Sequence, residues 1–396
     1  MSNSPDFRVA AQNQPAVGKY SDCLMENNPV RIAYIIGKLK AGGVESVVFN
    51  YYRAINHEKY QFDFYYDADS TVAPPQDLIE MGARFFMLPP YQHLPAYIKE
   101  LRSYLKREKY VIVHSHLNTL SVFPLYAAWR EHVPVRIAHN HSVPAGDEFA
   151  RNLLKYILRT FSKIFSTDWF ACSEKAGRWM FGDKSFEQGR VYVLSNAIDF
   201  KRFENINEKT REIETKLGLT DKFTVGHVGR FTYAKNHLFL LDIFEKILEY
   251  RNDAVLVLVG DGEDREKIET AVTEKRLQEH VLLAGSTSTP EIYYKLFDVV
   301  IFPSVFEGFG LAAIESQISG VPVVTSEAVP EDAVISDGCC RLRLSDAPEK
   351  WAETALKLSG KMLHYNGRAT DFDIAKKAAE LEAWYDNAVV RYSRVK

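Results

Sequence analysis

The chain has 396 residues, of which 46% are hydrophobic and 26% are charged, and its formal net charge is −3. This length and apolar content are sufficient for two domain cores. Because the net charge is slightly negative, no overall positive field favours a nucleic-acid partner, and we expect none. The four cysteines lack the spacing of a metal site, so we interpret them as reduced, buried side chains.

The chain begins with a polar segment, residues 1–28, that lacks the apolar core of a signal peptide. No later run reaches the ~20 apolar residues that a membrane span needs. We therefore expect a cytoplasmic protein with 1–28 as a tail. Short apolar strands then alternate with helical stretches, starting with a strand at 31–36. This alternation predicts an α/β fold with parallel, doubly wound sheets.

Two series of strands predict two Rossmann-like domains, one covering 29–198 and the other 222–370. Between them, 199–221 is charged and poor in large apolar residues, which is typical of a linker. The last segment, 371–396, has a helical pattern with apolar side chains available for packing. We expect it to pack on one of the two domains, with a crossing back to the first as one option.

The segment 302–325 predicts a strand, a glycine-rich turn, a short helix and a second strand. Ligands of parallel sheets bind where strand carboxyl ends meet helix amino ends. Gly308 and Gly310 permit a close backbone approach, and free N–H groups at the start of the helix attract an anion. Glu307 before the helix and Glu315 inside it need partners at such a site, and ribose or sugar hydroxyls would suit them.

Two cations, Arg230 and Lys235, follow the first strand of the second series beside Gly229. Arginine offers a bidentate fork and lysine a point charge, which together suit a diphosphate. Taken alone, the segment is equally consistent with two surface cations in a solvated loop. The nearby glutamate pair favours the ligand-binding interpretation.

Several short motifs follow one another in a fixed order: Gly42-Gly43, Gly229-Arg230 with Lys235-Asn236, Val259-Gly260-Asp261-Gly262, Pro303-Ser304, the pair Glu307 and Glu315, and Gly320-Val-Pro-Val-Val. From about Arg31 onward, this ordered set resembles glycosyltransferase family 4, which comprises retaining, nucleotide-sugar-dependent enzymes of the GT-B fold. It is most similar in character to bacterial exopolysaccharide and capsule enzymes. The resemblance implies two Rossmann-like parallel-sheet domains facing across a cleft, the first for the acceptor and the second for the donor.

The resemblance also implies roles for individual residues. Arg230 and Lys235 would hold the donor diphosphate and offset charge on the leaving group. Glu315 would bind ribose hydroxyls, and Glu307 would contact the transferred sugar. The backbone N–H groups from the turn and helix start would touch sugar and phosphate: Gly308, Phe309, Gly310 and Leu311. Gly42 and Gly43 would face the donor diphosphate and acceptor from the other domain, with a plain tight turn as the alternative.

A histidine of the first domain is implied near the anomeric carbon of the sugar. The gapless register places Asn140 there, flanked by His139 and His141. In an extended segment the two histidines share one side and Asn140 takes the other, so we favour His139 or His141. The alternative is that both only hydrogen-bond the loop. His114 and His116, after the preceding strand, are weaker candidates.

No metal or other cofactor is expected. The motif Asp67-Ala-Asp69 matches the acidic motif of metal-dependent glycosyltransferases, but it follows a strand of the first half, so we interpret it as a solvated loop. Enzymes of the type that the chain resembles offset leaving-group charge with cationic side chains and helix N-termini.

The segment 151–165 places four cations at four-residue intervals beside apolar residues. Such a basic amphipathic helix can lie on anionic lipid. The segment is therefore a candidate contact with the inner face of the cell membrane. The alternative is a packed helix with a solvated basic face.

These observations predict a retaining glycosyltransferase of the hexosyl type, with a nucleotide-sugar donor that we expect to be UDP-linked. The expected acceptor is a growing glycan such as a polyprenyl-diphosphate-linked saccharide. A sugar-nucleotide epimerase, a phosphorylase and a non-catalytic nucleotide-sugar-binding subunit are alternatives on the same fold. A nicotinamide oxidoreductase is disfavoured, since no G-x-G-x-x-G opens the first helix.

Overall fold

The computed structural model describes residues 28–40, 43–142, 149–204 and 208–393. The chain divides into two compact units. The first unit comprises Met1–Ala197 together with Ile374–Lys396, and the second comprises Ile198–Asp373. The closing segment of the chain therefore belongs to the first unit.

The described part of the first unit forms a seven-stranded parallel sheet in the order β3-β2-β1-β4-β5-β6-β7. Its strands are β1 Val30–Gly37, β2 Tyr60–Asp67, β3 Arg84–Leu88, β4 Ile112–Ser115, β5 Val135–Asn140, β6 Asp168–Ala171 and β7 Val191–Val193. The helices between them are α1 Gly43–Ala54, α2 Gln76–Glu80, α3 Leu94–Glu108, α4 Val122–Arg130, α5 Phe149–Phe161, α6 Glu174–Phe181 and α7 Asp183–Glu187.

The described part of the second unit forms a six-stranded parallel sheet in the order β10-β9-β8-β11-β12-β13. Its strands are β8 Phe223–Val228, β9 Ala254–Val259, β10 Val281–Gly285, β11 Val299–Phe302, β12 Val323–Ser326 and β13 Cys339–Leu342. Its helices are α8 Glu208–Leu217, α9 His237–Tyr250, α10 Arg265–Glu274, α11 Pro290–Tyr294, α12 Leu311–Ile318 and α13 Pro348–Leu358. The last helix of the chain, α14 Ile374–Ser393, packs on α1 and β5 of the first unit.

Two strands of the second sheet, β9 and β11, are apolar on both faces, which is the pattern of parallel strands. All residues of β9 and of β11 are buried, as expected for strands covered by helices on each side. In both sheets the strand order reverses at one point, between β1 and β4 and between β8 and β11. The loops after these strands flank the crevice where parallel sheets bind ligands.

The charged segment 199–221, predicted as a linker, is part of the second unit in the structure. It contains a 3-10 helix, Phe200–Phe203, and the helix α8. Phe203 and Leu219 are buried in the core of that unit. Composition is misleading here because a few buried residues secure a segment in which many of the other described side chains are exposed.

The interpretation of Asp67 as a residue of a solvated loop is wrong. Asp67 is the last residue of β2 and is 1% exposed. It shares a face of the sheet with Tyr65, two residues earlier, which lies in the core of the first unit. Asp69 pairs with Lys38 and is partly exposed.

Candidate functional site

The reversal point of the second sheet brings together the two predicted donor-binding segments. The segments 229–236 and 303–310 follow β8 and β11, which are adjacent in the sheet. The backbone N–H of Val305 donates to the carbonyl oxygen of Ala234 at 2.8 Å, so the two loops touch. The two segments, which are far apart in the sequence, therefore form a single loop cluster at the carboxyl edge of the sheet.

Lys235 and Glu307 form an ion pair within this loop cluster. Each side chain is only 18% exposed. The ammonium group can contact a phosphate oxygen and the carboxylate can accept a hydrogen bond from a hydroxyl group. The pair therefore presents both kinds of group that a sugar diphosphate would need.

Arg230 is much more exposed than Lys235. Its guanidinium lies 3.2 Å from Glu263, and the two side chains are 67% and 61% exposed. An exposed ion pair of this kind contributes little to stability. Arg230 can therefore exchange Glu263 for an anionic ligand at low cost.

Two glycines of the motif 259–262 support the loop that carries Arg230. A Cβ atom at Gly260, whose φ is +149°, would lie 1.9 Å from the carbonyl oxygen of Gly229. A Cβ atom at Gly262 would lie 2.3 Å from the carbonyl oxygen of Phe231. The motif therefore requires glycine because two backbone segments touch there.

The glycine-rich turn before α12 has one crowded and one open position. At Gly310 the φ is +85°, and a Cβ atom would lie 2.9 Å from Val329 Cγ1. At Gly308 a Cβ atom would have no heavy atom within 4 Å. No side chain of the described residues caps the N-terminus of α12. Its third N–H group, that of Ala313, donates to the carbonyl oxygen of Gly310 at 3.0 Å, so the first two are the ones available to a ligand.

Glu315 lies on α12 and accepts a hydrogen bond of 3.1 Å from the Tyr294 hydroxyl. The same hydroxyl is 3.1 Å from the carbonyl oxygen of Ala312. Burial raises the pKa of Glu315 to about 7. At neutral pH this carboxyl group is therefore divided between its neutral and ionised forms, and either form can bind a hydroxyl group.

In the first unit, four histidines from the ends of β4 and β5 form one stack, which we call the histidine cluster: His114, His116, His139 and His141. None is more than 9% exposed. Asn140 points to the other face, where its Nδ2 donates to the carbonyl oxygens of Ser142 and Ala176 at 2.9 Å. The predicted alternation is confirmed, and the two histidines ranked as weaker candidates belong to the same group.

Hydrogen bonds connect the cluster across the two strands. The Nε2 atom of His114 lies 3.0 Å from Nδ1 of His139, and Nδ1 of His116 lies 2.8 Å from Nε2 of His141. Burial holds the pKa values of His114, His116 and His139 well below their usual range and lowers the pKa of His141 to about 4. All four rings are therefore neutral at pH 7.

The histidine cluster is a poor geometric match for a shared metal ion. Nitrogen atoms of His114, His116 and His139 lie within 4.8 Å of one another. However, Nε2 of His114 and Nδ1 of His139 point at each other in a hydrogen bond of 3.0 Å, and the ring of His116 stacks on the ring of His114 with an inclination of only 25°. Because an imidazole nitrogen directs its lone pair in the plane of its ring, stacked rings do not converge on one point.

The glycine turn of the first unit is described only in part. Gly42 lies outside the described residues, and Gly43 begins α1. A close contact occurs instead at Gly37, which sequence analysis did not select. Its φ is +70°, and a Cβ atom would lie 2.8 Å from Leu117 Cδ2. Sequence analysis could have selected Gly37 because it is the last residue of β1, the strand at which the strand order of the sheet reverses.

The helix α5 exposes much of its apolar side. Six large apolar residues in and just after it are 45–58% exposed: Leu153, Leu154, Tyr156, Ile157, Phe161 and Ile164. Lys163 is exposed beside them, whereas the side chain of Arg151 lies outside the described residues. Among the described residues, no helix combines the length and hydrophobicity that a bilayer crossing requires.

Comparison with solved structures supports the fold assignment. HepE from Anabaena in complex with UDP and glucose matches with a TM-score of 0.73 and 16% identity, over 90% of this chain and 99% of that chain. Sucrose-phosphate synthase from Thermosynechococcus elongatus matches with a TM-score of 0.71 and 19% identity, over 91% and 100%. The two doubly wound units therefore have the GT-B fold.

Sequence comparison assigns the family. The model for Glycosyltransferase Family 4 matches residues 41–202, and the model for Glycosyl transferases group 1 matches residues 209–359. EpsF of Bacillus subtilis (strain 168) is 31% identical over 83% of this chain and 88% of its own length. The capsular polysaccharide biosynthesis glycosyltransferase CapH of Staphylococcus aureus is 25% identical over 90% and 98%. The chain therefore belongs to the glycosyltransferases of family 4.

Proposed function

We propose that this protein transfers a sugar from a UDP-sugar to a growing, lipid-linked glycan, with retention at the anomeric carbon. The observation that carries the proposal is the convergence of Arg230, Lys235 and Glu307 on one loop cluster, with Glu315 on the helix that follows. A relative from Escherichia coli, 26% identical over 76% of this chain, is named a UDP-Gal:alpha-D-GlcNAc-diphosphoundecaprenol alpha-1,3-galactosyltransferase. Its name supports both the donor class and the acceptor class. CapH supports a place in capsule or exopolysaccharide synthesis.

In the proposed reaction the bond between the anomeric carbon and the diphosphate breaks, and the acceptor oxygen bonds to the same face of the sugar. Lys235 and Arg230 offset the negative charge that develops on the leaving diphosphate. The acceptor proton passes to a phosphate oxygen of the leaving group. Neither a metal ion nor another cofactor is required in this scheme.

Glu307 and Glu315 bind hydroxyl groups of the donor. Glu315 accepts from the ribose, and Glu307 positions the transferred sugar. The N–H groups of the segment 308–311 contact sugar and phosphate oxygens. On the first unit, His139 and His141 contribute from the carboxyl end of β5, and Gly42 and Gly43 lie near the donor and acceptor.

We also propose that the exposed face of α5 binds an anionic membrane surface at the inner side of the cell membrane. Its apolar side chains enter the interface while the neighbouring cations meet lipid headgroups. A membrane-bound location would bring the enzyme to an acceptor that is itself anchored in lipid. This part of the proposal concerns location and is independent of the donor assignment.

The purified protein should be incubated with radiolabelled UDP- and GDP-sugars, with and without a membrane extract as acceptor. We expect transfer from a UDP-sugar only when acceptor is present, and NMR of the product should show the anomeric configuration of the donor. The variant Arg230→Ala should lose most of the transfer, whereas Arg343→Ala, at a residue with a comparable exposure of 73%, should retain it. Formation of an isomerised sugar without acceptor would indicate a sugar-nucleotide epimerase. Binding of UDP without any turnover would indicate a non-catalytic nucleotide-sugar-binding subunit.

A further inference from the structure

A buried histidine of the second unit, His227, adjoins the loop that carries Lys235. His227 belongs to β8 and is 0% exposed. Its Nδ1 atom lies 2.9 Å from the carbonyl oxygen of Ile301, which belongs to the adjacent strand β11. Because a carbonyl oxygen can only accept a hydrogen bond, Nδ1 carries a hydrogen atom and donates it.

The second ring nitrogen of His227, Nε2, is a bare acceptor. Burial above all, with the neighbouring His237 and Lys235 adding to it, holds the pKa of His227 well below its usual range, so the ring is neutral at pH 7. A neutral ring with its hydrogen on Nδ1 has a lone pair on Nε2. Among the described residues, no group donates a hydrogen bond to this atom. A buried acceptor without a donor is costly, so a donor that reached Nε2 would stabilise the site.

The Nε2 atom of His227 and the side chain of Lys235 border the same space. A Cβ atom at Gly229 would lie 3.5 Å from His227 Nε2 and 3.6 Å from Lys235 Cε. Apart from Gly229 and its chain neighbours, no heavy atom comes nearer to this position, so the space has about the width of a methyl group. Because a lysine side chain is flexible, rotations about its bonds can bring the ammonium group to Nε2.

His237, at the start of α9, is a second polar neighbour of His227. The two ring centroids are 4.6 Å apart, yet neither nitrogen of His237 hydrogen-bonds to a described residue. Lys235 has the greater capacity as a donor, because its ammonium group carries three N–H groups and the bond to Glu307 needs one. The other two N–H groups are sufficient for a phosphate oxygen and for His227.

We infer that His227 is a positioning residue for Lys235, a neutral acceptor to which the ammonium group turns when Glu307 releases it. A neutral acceptor orients the ammonium group without cancelling its charge, whereas a carboxylate partner cancels it. The positive charge of Lys235 is then available to a diphosphate. The role of this exchange of partners in donor binding rests on the proposed function, whereas the contact between Lys235 and His227 does not.

The exchange of partners can be measured without any ligand by NMR of the ¹⁵N-labelled protein, with the His227 signals assigned by their loss in His227→Asn. In the wild type we expect a protonated Nδ1 and a bare Nε2. The variant Glu307→Leu removes the carboxylate, so the Nε2 signal should move upfield as this atom accepts a hydrogen bond from Lys235. In the double variant Glu307→Leu/Lys235→Met the signal should return to its wild-type position.

Three results of this experiment would overturn the inference. A protonated Nε2 in the wild type would show that the atom is not an acceptor. An unchanged Nε2 signal in Glu307→Leu would show that the released ammonium group does not turn to His227. An upfield shift that persists in the double variant would identify a donor other than Lys235, such as His237.

The effect on donor binding is tested with His227→Asn against His280→Asn. An asparagine amide can keep a hydrogen bond to the carbonyl oxygen but places no acceptor at the position of Nε2. His280 is the control, because its Nδ1 lies 3.0 Å from the carbonyl oxygen of Ala254 at the amino end of β9. We expect calorimetry to show UDP binding about tenfold weaker in His227→Asn and within about twofold of the wild type in His280→Asn.

A spectroscopic measurement separates this role from a merely structural one. Saturation of the wild type with UDP should move the Nε2 signal of His227 upfield, as Glu307→Leu does. An unmoved signal, or equal dissociation constants for the two asparagine variants, would exclude His227 from donor binding. If the wild type binds no nucleotide, the proposed function fails, and the spectra of Glu307→Leu would still decide whether Lys235 and His227 meet.

Discussion

Lys235 and Glu307, 72 residues apart in the sequence, form an ion pair between the loops after β8 and β11. The pair joins the two loops of the cluster. A donor diphosphate bound as we propose would therefore compete with Glu307 for the ammonium group. Binding of the diphosphate would release the Glu307 carboxylate, which could then accept a hydrogen bond from a hydroxyl group of the sugar. The ion pair would thus link binding of the diphosphate to binding of the sugar.

Replacing Lys235 by alanine should weaken UDP binding by about 30-fold, the effect of losing one hydrogen bond to a charged group. Lys246→Ala is the control, because Lys246 lies on α9 of the same unit and pairs with Glu249 and Glu349. Titration calorimetry with UDP measures both variants. Equal dissociation constants for the two variants would remove Lys235 from the site.

The substitution Gly308→Ala should leave stability unchanged and weaken binding of the nucleotide sugar about tenfold or more. The added methyl group would occupy space that is open in the described structure, but a ligand held by this turn would collide with it. Gly367→Ala is the matched control, since that position is equally open. If Gly308→Ala binds the donor as the wild type does, the turn does not contact the ligand.

Binding of UDP should strengthen as the pH rises from 6 to 8, because Glu315 has a pKa of about 7 and ionises across this range. The ionised carboxylate accepts hydrogen bonds from both ribose hydroxyls, whereas the neutral form uses part of its capacity as a donor. The variant Glu315→Gln should lose this component of the pH dependence. An unchanged profile in the variant, measured by calorimetry, would assign the dependence to another group.

Association with anionic vesicles should be weakened at least about fivefold by Ile157→Glu, which removes apolar area from the exposed face of α5 and adds a negative charge. Because Ile157 is 51% exposed, the fold should tolerate the change. Leu238→Glu, at a residue 49% exposed in the second unit, is the control. Flotation with phosphatidylglycerol vesicles at low salt measures the effect, and equal flotation of the two variants would exclude α5 as the contact.

The substitution Asp67→Asn should stabilise the protein at pH 8 by roughly 1–3 kcal/mol. Among the described residues, neither buried carboxylate oxygen of Asp67 has a hydrogen-bond partner at close range, and burial raises the pKa of Asp67 from 3.8 to about 6 against the smaller lowering effects of the Tyr91 backbone N–H and Lys38. The folded state then binds more protons than the unfolded state between these values, so stability falls as the pH rises through this window. The advantage of asparagine should disappear near pH 4.

Denaturant unfolding of both proteins at pH 4 and pH 8 provides the measurement. A variant that is less stable than the wild type at pH 8 would show that Asp67 has a stabilising partner when ionised. Asp67 thus shows that a residue in a motif typical of a solvated loop can nevertheless be buried. The acidic motif is visible in the sequence, whereas the burial of Asp67 at the end of β2 is visible only in the folded chain.

The sequence by itself determined the fold class and selected the candidate donor-side residues. Continuous apolar strands such as β9 indicate a parallel sheet because both faces must be covered. Arg230, Lys235, Glu307 and Glu315 could be selected because each follows or lies near a strand end in a local, recognisable pattern. These features depend on neighbours within a few residues, which is the range over which sequence patterns carry information.

Only the tertiary structure decided how the first unit arranges its site. His114 and His139 become neighbours because β4 and β5 are adjacent in the sheet, and Tyr385 reaches them from a helix 271 residues further along the chain. The exposure of the apolar side of α5 likewise depends on which other described elements pack on it, and the sequence of α5 does not specify them. Such contacts arise from the order of strands and the docking of helices, and no local spacing of residues specifies either.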